Sequence, residues 1–318
     1  MDEIKHSYID VNGLKLHVAE IGSESSPTIV FLHGFPEIWY TWRHQMIAVA
    51  EAGYRAIAPD YRGYGLSDIP SKPERTSFLD LVNDTASILD SLAISKVFVI
   101  GKDFGAKVGY TFALSHPKKV EGIITLGVPF VPPHAPVNLK SLPEGLYIQR
   151  WKEPGRAEAD FSRFDAKTVV RNIYILFSKS EIPIAHENKE IMDLVEPGTP
   201  LPSWFSEEDL SVYGALYEKS GFQTALQVPY RSLGELIEYP IQDLLNLKIK
   251  APTLVIMGEK DYSFKFPGIE EYMKSRDIKR YVPNLEIKYL PEGCHFVHEQ
   301  FPLQVNQLIL DFLNKNKI

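Results

Sequence analysis

Short, unbroken apolar runs recur along the first and last thirds of the chain. A run of this kind, rich in β-branched residues, is typical of a strand buried on both faces of a parallel sheet. We predict six such strands, at 28–32, 55–59, 97–100, 120–126, 252–257 and 285–290. Two further strands are predicted at 5–10 and 14–21, because the Asn12-Gly13 pair between them favours a hairpin turn.

Other segments carry their apolar residues at helical spacing. This spacing predicts a helix over 78–92, and another helix closes the chain at about 301–314. Strands that alternate with helices in this way predict an α/β fold. Its central sheet is expected to be mostly parallel, with helices on both faces.

The alternation of strands and helices stops at about residue 130 and resumes at about residue 240. Prolines break the start of this stretch, and charged helical segments with many aromatic residues follow. The pattern predicts a helical insertion over the top of the sheet. We therefore predict a core formed by 1–130 and 240–318, with a helical cap domain at 131–239.

The chain is acidic and contains a single cysteine. Its 318 residues carry a formal net charge of −7, which argues against nucleic acid as a partner. No apolar run approaches the ~20 residues of a membrane helix, and the first residues lack the pattern of a signal peptide. Cys294 is expected to be a small buried thiol. These features predict a cytoplasmic protein without a membrane span; monomer and homodimer both stay open.

The predicted strand at 97–100 leads into Gly101-Lys102-Asp103-Phe104-Gly105 and then into a helical pattern. A central residue flanked in this way by glycines, between a strand and a helix, is typical of a nucleophile elbow. Serine is usual there, whereas Asp103 offers a carboxylate that can attack a saturated carbon and form an alkyl ester. The alternative is a glycine-rich turn in which Asp103 only caps the helix.

Polar residues follow several predicted strands at their carboxyl ends, where parallel sheets bind ligands. Asp103, Asp261 and His295 come in the order nucleophile, acid, histidine, which is the chain order of an α/β-hydrolase triad. We predict that His295 is the base and that Asp261 orients it. Glu259 remains an alternative to Asp261, and His298 an alternative to His295.

Several short motifs occur together along the chain. They are His33-Gly34-Phe35-Pro36-Glu37, Asp60-Tyr61-Arg62-Gly63-Tyr64-Gly65-Leu66-Ser67, Gly101-x-Asp103-x-Gly105, Trp151-x-Glu153-Pro154-Gly155, Tyr230-Arg231 and His295-Phe296. With these motifs the chain resembles, over essentially its full length, the plant-type soluble epoxide hydrolases of the α/β-hydrolase superfamily. The resemblance implies the α/β-hydrolase fold with an inserted helical lid, and conversion of epoxides to vicinal diols.

The resemblance also implies roles for residues that composition could not single out. Tyr147 and Tyr230 match the two cap tyrosines whose phenols hydrogen-bond the epoxide oxygen as the ring opens. The backbone N–H groups of Phe35 and Phe104 would form an oxyanion hole. The expected partners are a small apolar epoxide and water, with no cofactor and no metal.

Aromatic residues near the motifs suggest a pocket for an apolar substrate. Besides Phe35 and Phe104, the candidates for its walls are Trp39, Phe264 and Phe296. Ordinary core packing is the alternative for each of these five, and we expect it for at least two of them.

The chain departs from the family pattern at two positions. Phe104 stands where relatives often have tryptophan, and Lys102 where they often have histidine. A haloalkane or haloacid dehalogenase with the same triad is the second interpretation. A haloalkane dehalogenase would hold its halide with tryptophan and asparagine, and Phe104 and Phe35 stand at those positions here, which argues against it. A non-catalytic hydrolase-fold receptor is the third, and the intact triad with both tyrosines argues against it.

Overall fold

An eight-stranded, mostly parallel β-sheet forms the centre of the protein. The computed structural model describes residues 3–132, 142–233 and 247–316. The strands are β1 (Lys5–Val11), β2 (Leu14–Ile21), β3 (Thr28–Leu32), β4 (Arg55–Pro59), β5 (Val97–Lys102), β6 (Val120–Leu126), β7 (Thr253–Gly258) and β8 (Leu285–Leu290). Their order is β1-β2-β4-β3-β5-β6-β7-β8, and only the pairs that include β2 are antiparallel.

Helices connect the strands and form a separate group between β6 and β7. The α-helices of the described residues are α1 (Arg43–Glu51), α2 (Phe78–Ser91), α3 (Phe104–Ser115), α4 (Tyr147–Lys152), α5 (Arg156–Phe161), α6 (Ala166–Phe177), α7 (Glu207–Ser220), α8 (Gln223–Ala225), α9 (Ile269–Lys274), α10 (Ile278–Tyr281), α11 (Val297–Gln300) and α12 (Pro302–Lys315). Short 3-10 segments lie at Trp39–Trp42, Pro73–Arg75, Pro117–Lys119, Ile191–Leu194 and Tyr262–Lys265, and a π-helical turn lies at Leu226–Tyr230.

The inner strands are buried along their whole length. Every residue of β3, β4, β5 and β7 is buried, as their unbroken apolar runs predict for strands covered on both faces. The edge strand β1 is mostly exposed, and it turns into β2 at Asn12 and Gly13, both at positive φ. The predicted α/β architecture with a mostly parallel sheet is therefore confirmed.

The stretch between β6 and β7 is helical in the part that the structure describes, and it packs on the carboxyl-end side of the core. The Tyr174 hydroxyl of α6 donates to Glu299 of α11 at 2.8 Å, and Arg43 of α1 pairs with Asp209 of α7 at 3.0 Å. The predicted boundary between 239 and 240 falls on residues outside the described ranges.

Across these described ranges, no helix combines the length and the apolar character that crossing a membrane requires.

Candidate active site

A sharp turn between β5 and α3 presents Asp103. This residue has φ 51° and ψ −129°, in the positive-φ region that residues other than glycine rarely adopt. The flanking glycines are required by close packing. A Cβ on Gly101 would lie 2.5 Å from the carbonyl oxygen of Gly105, and a Cβ on Gly105 would lie 2.3 Å from that of Leu32. The turn is thus held between β3 and α3, with Asp103 at its apex.

Two backbone N–H groups donate to the Asp103 carboxylate. Phe35 donates to Oδ1 at 3.3 Å, and Phe104 also donates to the carboxylate. Burial alone would raise the pKa of Asp103, but the hydrogen bond from His295 and the positive charges of His295 and Lys102 hold it below its usual range. The carboxylate is therefore ionised at neutral pH. Its side chain is 22% exposed, so it faces open space.

His295 lies between two carboxylates. Its Nε2 is 3.6 Å from Asp103 Oδ2, and its Nδ1 is 3.0 Å from Asp261 Oδ1. Burial would lower the pKa of His295, but the charge of Asp261 and the hydrogen bonds to both carboxylates raise it to about 9. Burial opposes ionisation of Asp261, yet the neighbouring His295 holds the pKa of Asp261 below its usual range. The His295 ring therefore lies between the carboxylates of Asp103 and Asp261 and is in contact with both.

Asp261 is fixed by its position after β7. It caps the 3-10 segment Tyr262–Lys265, where its Oδ1 accepts the Ser263 N–H at 2.8 Å. The alternative acid, Glu259, is exposed. The structure therefore brings Asp261, and not Glu259, to His295.

The two tyrosines that the resemblance singled out lie together in the insertion. Tyr147 begins α4 and Tyr230 ends the π-helical turn, and their ring centres are 6.1 Å apart. Burial raises the pKa of both phenols, and the negative charge of Asp103 contributes to the rise in each case. Both phenols therefore stay protonated at neutral pH and can donate a hydrogen bond toward the space above Asp103.

A third phenol, which the sequence reasoning missed, lies between Tyr147 and the histidine. The hydroxyl of Tyr262 is 3.1 Å from that of Tyr147, and its ring centre is 4.8 Å from that of His295. The only sequence signal is its place directly after Asp261. With 16 tyrosines in the chain, that signal did not separate it from an ordinary packing residue.

The aromatic residues predicted for the pocket divide into two groups. Phe35 meets the rings of Tyr230 and Trp151 edge to face, at 5.5 and 5.7 Å, so it borders the space between the core and the phenols. Phe104 packs in a second group of rings, with Tyr61 at 5.6 Å and Phe78 at 6.1 Å.

The other three residues predicted for the pocket are also buried. The ring of Trp39 packs on His6 of β1 at 4.8 Å. The ring of Phe264 meets Tyr289 of β8 at 6.1 Å. Phe296 contacts His295 at 5.3 Å, but it is fully buried and stacked on Tyr174. All three are buried, as Phe35 and Phe104 are, so their place in the walls of the pocket stays a prediction.

A buried polar network lies behind the triad. The Lys102 ammonium is 3.6 Å from Glu37 Oε1 and 5.0 Å from the ring centre of Phe296. Glu37 accepts the N–H of Gly34 at 2.8 Å, one residue before Phe35 of the predicted oxyanion hole. Burial raises the pKa of Glu37 to about 7, against the opposing effect of Lys102.

The alternative base, His298, belongs to this network. Its Nε2 is 2.6 Å from the Thr41 hydroxyl, and burial moves its pKa well below the usual value. His298, Glu37 and Glu299 have oxygen or nitrogen atoms within 4.8 Å of one another, as a metal site would require. However, Glu299 already accepts hydrogen bonds from Arg43 at 2.8 Å and from Thr41 at 3.0 Å. These donors favour a hydrogen-bonded network over a cation site.

Cys294 is buried beside His295. Burial raises the pKa of its thiol to about 12, so it is protonated at neutral pH. It lacks the low pKa of a reactive thiol.

Known proteins are similar to this chain over most of its length, both in sequence and in structure. Residues 27–302 match the model of the α/β-hydrolase fold family. The chain is 36% identical to epoxide hydrolase 3 of Siraitia grosvenorii, and the alignment covers 99% of this chain and 100% of that protein. It is also similar to the structure of potato (Solanum tuberosum) epoxide hydrolase I, at 36% identity and a TM-score of 0.88, over 98% of this chain and 99% of that one. An epoxide hydrolase of Vigna radiata gives 36% identity and a TM-score of 0.89, over 99% of both chains. The chain therefore belongs to the α/β-hydrolase family and, within it, to the epoxide hydrolases.

Proposed function

We propose that this enzyme opens epoxides to vicinal diols in two half-reactions, with Asp103 as the nucleophile and His295 as the base. The observation that carries this assignment is the ionised Asp103 carboxylate, held by two backbone N–H groups and facing His295 Nε2 at 3.6 Å. A carboxylate at the apex of an elbow needs no base for its own attack. The histidine is thus free to act on water.

In the first half-reaction, an Asp103 oxygen attacks one epoxide carbon and the carbon–oxygen bond of the ring breaks. Oδ1 is held by the Phe35 N–H, which leaves Oδ2 as the attacking atom. The oxygen that leaves the carbon takes a proton from Tyr147 or Tyr230, whose raised pKa values keep both phenols protonated beforehand. The product is a hydroxyalkyl ester of Asp103.

In the second half-reaction, neutral His295 removes a proton from water, and the resulting hydroxide attacks the ester carbonyl. The Phe35 and Phe104 N–H groups hold the oxyanion, and collapse releases the diol as His295 returns its proton to the leaving oxygen. Asp103 is left as a carboxylic acid, and its proton passes to the phenolate that the first half-reaction left, so both groups return to their starting states. Ester formation itself prepares the base. It removes the charge of Asp103, one of the groups that raise the pKa of His295, so the imidazole loses its proton more readily.

The insertion of 142–233 acts, in this proposal, as the cap of the active site. It supplies both phenols, and Phe35 of the core touches Tyr230 across the space between them. Phenyl rings at Phe104 and Phe35 offer no side-chain donor to a leaving halide. This argues against dehalogenation. A small apolar epoxide and water remain the proposed substrates; a cytoplasmic location and the monomer or homodimer stay predictions from the sequence.

The experiment is the separation of the two half-reactions in His295→Gln. This variant keeps Asp103 and both phenols, so it should form the ester and release diol very slowly. Intact-mass measurement after mixing with styrene oxide should show the enzyme heavier by one substrate molecule. Asp103→Asn should gain no mass, because an amide is a poor nucleophile.

The matched control is His298→Gln, which changes the other buried histidine three residues along the chain. This variant should still form diol. If His298→Gln accumulates the adduct and His295→Gln does not, the assignment of the base is wrong. If wild-type enzyme releases halide from a haloalkane and leaves epoxides untouched, the proposed reaction itself is wrong.

A further inference from the structure

A buried ammonium lies beside the nucleophile and makes or breaks no bond in the two half-reactions. It belongs to Lys102, the last residue of β5, which directly precedes Asp103 and is fully buried. No residue of the described ranges accepts a hydrogen bond from its Nζ. One carboxylate oxygen, Oε1 of Glu37, lies 3.6 Å away. The fold therefore keeps a positive charge in its interior with a single, distant counter-charge.

Glu37 is held in place by other groups and does not close the gap to this ammonium. Its Oε2 accepts the Gly34 N–H at 2.8 Å, and its Oε1 accepts the Thr41 hydroxyl at 3.3 Å. The same Oε1 is 3.5 Å from His298 Nε2. The charge of Lys102 is therefore only partly balanced by Glu37. Since a buried cation costs free energy unless other charges interact with it, the groups around Lys102 must feel the remainder.

The base of the triad lies within reach of this charge. The Lys102 ammonium is 5.0 Å from the ring centre of Phe296, and that ring centre is 5.3 Å from the ring centre of His295. Phe296 is fully buried, and a charge acts more strongly through such an apolar interior than through water. Burial lowers the pKa of His295, Asp261 raises it and Lys102 lowers it again, with a balance at about 9.

This balance changes when the ester forms. The titratable groups that face His295 are Asp103 and Lys102 at the β5 turn, Asp261 and Tyr262 after β7, and Glu37 and His298 behind the triad. Ester formation removes the negative charge of Asp103 and leaves a phenolate on Tyr147 or Tyr230. Asp261 and this phenolate then favour the protonated imidazole, and Lys102 opposes them. The second half-reaction needs the neutral imidazole.

We propose that Lys102 is a positioning residue for the second half-reaction: its buried ammonium keeps the His295 imidazole free to take a proton from water while the ester is present. The inference rests on the proposed function, since that function assigns the ester to Asp103 and the base to His295. Without this cation, Asp261 and the phenolate would hold a proton on His295 up to a higher pH. Diol release would then require a more alkaline solution, whereas ester formation needs no base and would change much less.

The test follows decay of the ester in a single turnover of styrene oxide with enzyme in excess, by rapid quench and intact-mass measurement. The decay rate is measured across the pH range in which the imidazole titrates, and in wild type it should rise with pH and then level off. In Lys102→Met, which keeps the length of the side chain and removes its charge, the rise should lie about one pH unit or more higher, as expected for loss of a nearby charge. On the rising part of the profile, the ester should therefore decay about tenfold more slowly.

Three further variants make the result specific. Lys102→Met leaves the Glu37 carboxylate buried without a cation, so the double variant with Glu37→Gln guards against loss of folding and should show the same upward shift. Glutamine can still accept the Gly34 N–H. Glu37→Gln alone removes a negative charge near His295 and should move the rise to lower pH; a general loss of structure would not produce shifts in opposite directions. Lys96→Met removes an exposed charge next to the other end of β5 and should leave the profile unchanged.

Two results would overturn the inference. One is a rise at the wild-type pH in both Lys102→Met and the double variant. The other is a decay rate that falls by the same factor at every pH, because Lys102 would then support the structure without acting on His295. Failure of the proposed function is a different result, in which wild-type enzyme gains no mass with styrene oxide at any pH.

Discussion

Three phenols surround the space above Asp103, and they are not equivalent. Tyr147 is 3.1 Å from the hydroxyl of Tyr262, whereas Tyr230 meets Phe35 and Trp151 through its ring. The Tyr147 hydroxyl can therefore accept a hydrogen bond from Tyr262 while it donates its own proton to the epoxide oxygen. Such a chain of hydrogen bonds makes the inner donor stronger.

This difference predicts graded effects on ester formation. Tyr147→Phe and Tyr230→Phe should each slow alkylation about a hundredfold, since loss of one donor to a developing oxyanion costs about 3 kcal/mol. Tyr262→Phe should cost less, on the order of tenfold, because it removes a neutral hydrogen bond to the donor. Stopped-flow measurement of the ester-forming step would separate these values from product release. Equal rates in all three variants and wild type would mean that other groups activate the epoxide.

At the scale of the element, the turn from β5 into α3 depends on how closely the helix approaches the sheet. Gly105 lies against the backbone of β3, where an added Cβ would be 2.3 Å from the Leu32 oxygen and 2.4 Å from the His33 oxygen. Backbone atoms cannot move aside as a flexible side chain can. The first turn of α3 would have to shift, and Asp103 would shift with it.

Gly105→Ala is therefore expected to damage both stability and activity. Overpacking of this kind typically costs about 1–3 kcal/mol, and displacement of the carboxylate from the Phe35 N–H should slow ester formation further. The control is Gly109→Ala, one turn along the same helix, where the nearest atom is a side-chain methyl of Val99 at 3.1 Å. Its crowding is offset by the better helix propensity of alanine. Denaturant unfolding and alkylation rates should separate the two variants; identical behaviour would contradict the packing argument.

At the scale of the whole molecule, Glu299 joins the insertion to the core. It is buried in α11, where it pairs with Arg43 at 2.8 Å and accepts hydrogen bonds from two phenols of the insertion. The Tyr174 hydroxyl donates at 2.8 Å and the Tyr213 hydroxyl at 3.3 Å. The position of the insertion above the site is thus coupled to a buried charge of the core.

Removal of the shorter of these hydrogen bonds should loosen that connection. Tyr174→Phe is expected to lower the free energy of unfolding by about 2 kcal/mol, the range of a hydrogen bond to a charged group. Tyr213→Phe, with its longer contact, should cost less. Urea denaturation of both variants beside wild type measures the difference. A larger loss in Tyr213→Phe would show that the contact to Glu299 does not govern the docking.

Much of the architecture could be predicted from local pattern. The unbroken run before Gly101 predicted a buried strand, and β5 extends only two residues beyond it, to Lys102. The predicted closing helix is α12, shifted by one residue. Such features are readable because a strand covered on both faces needs consecutive apolar residues, and a helix packed on one side needs them at its own period. The family motifs added Tyr147 and Tyr230, which no period could identify.

The orientation of individual side chains was decided by the tertiary structure. Trp39 and Phe264 lie beside motifs in the sequence, and their rings pack on His6 of β1 and Tyr289 of β8. Tyr262 reaches His295 because β7 and β8 are neighbours in the sheet, although their ends are far apart in the chain. The sequence by itself determined the order of strands and helices and the types of residue at their ends. Only the folded sheet decided which side chains share the space above Asp103, because that depends on contacts between residues remote in sequence.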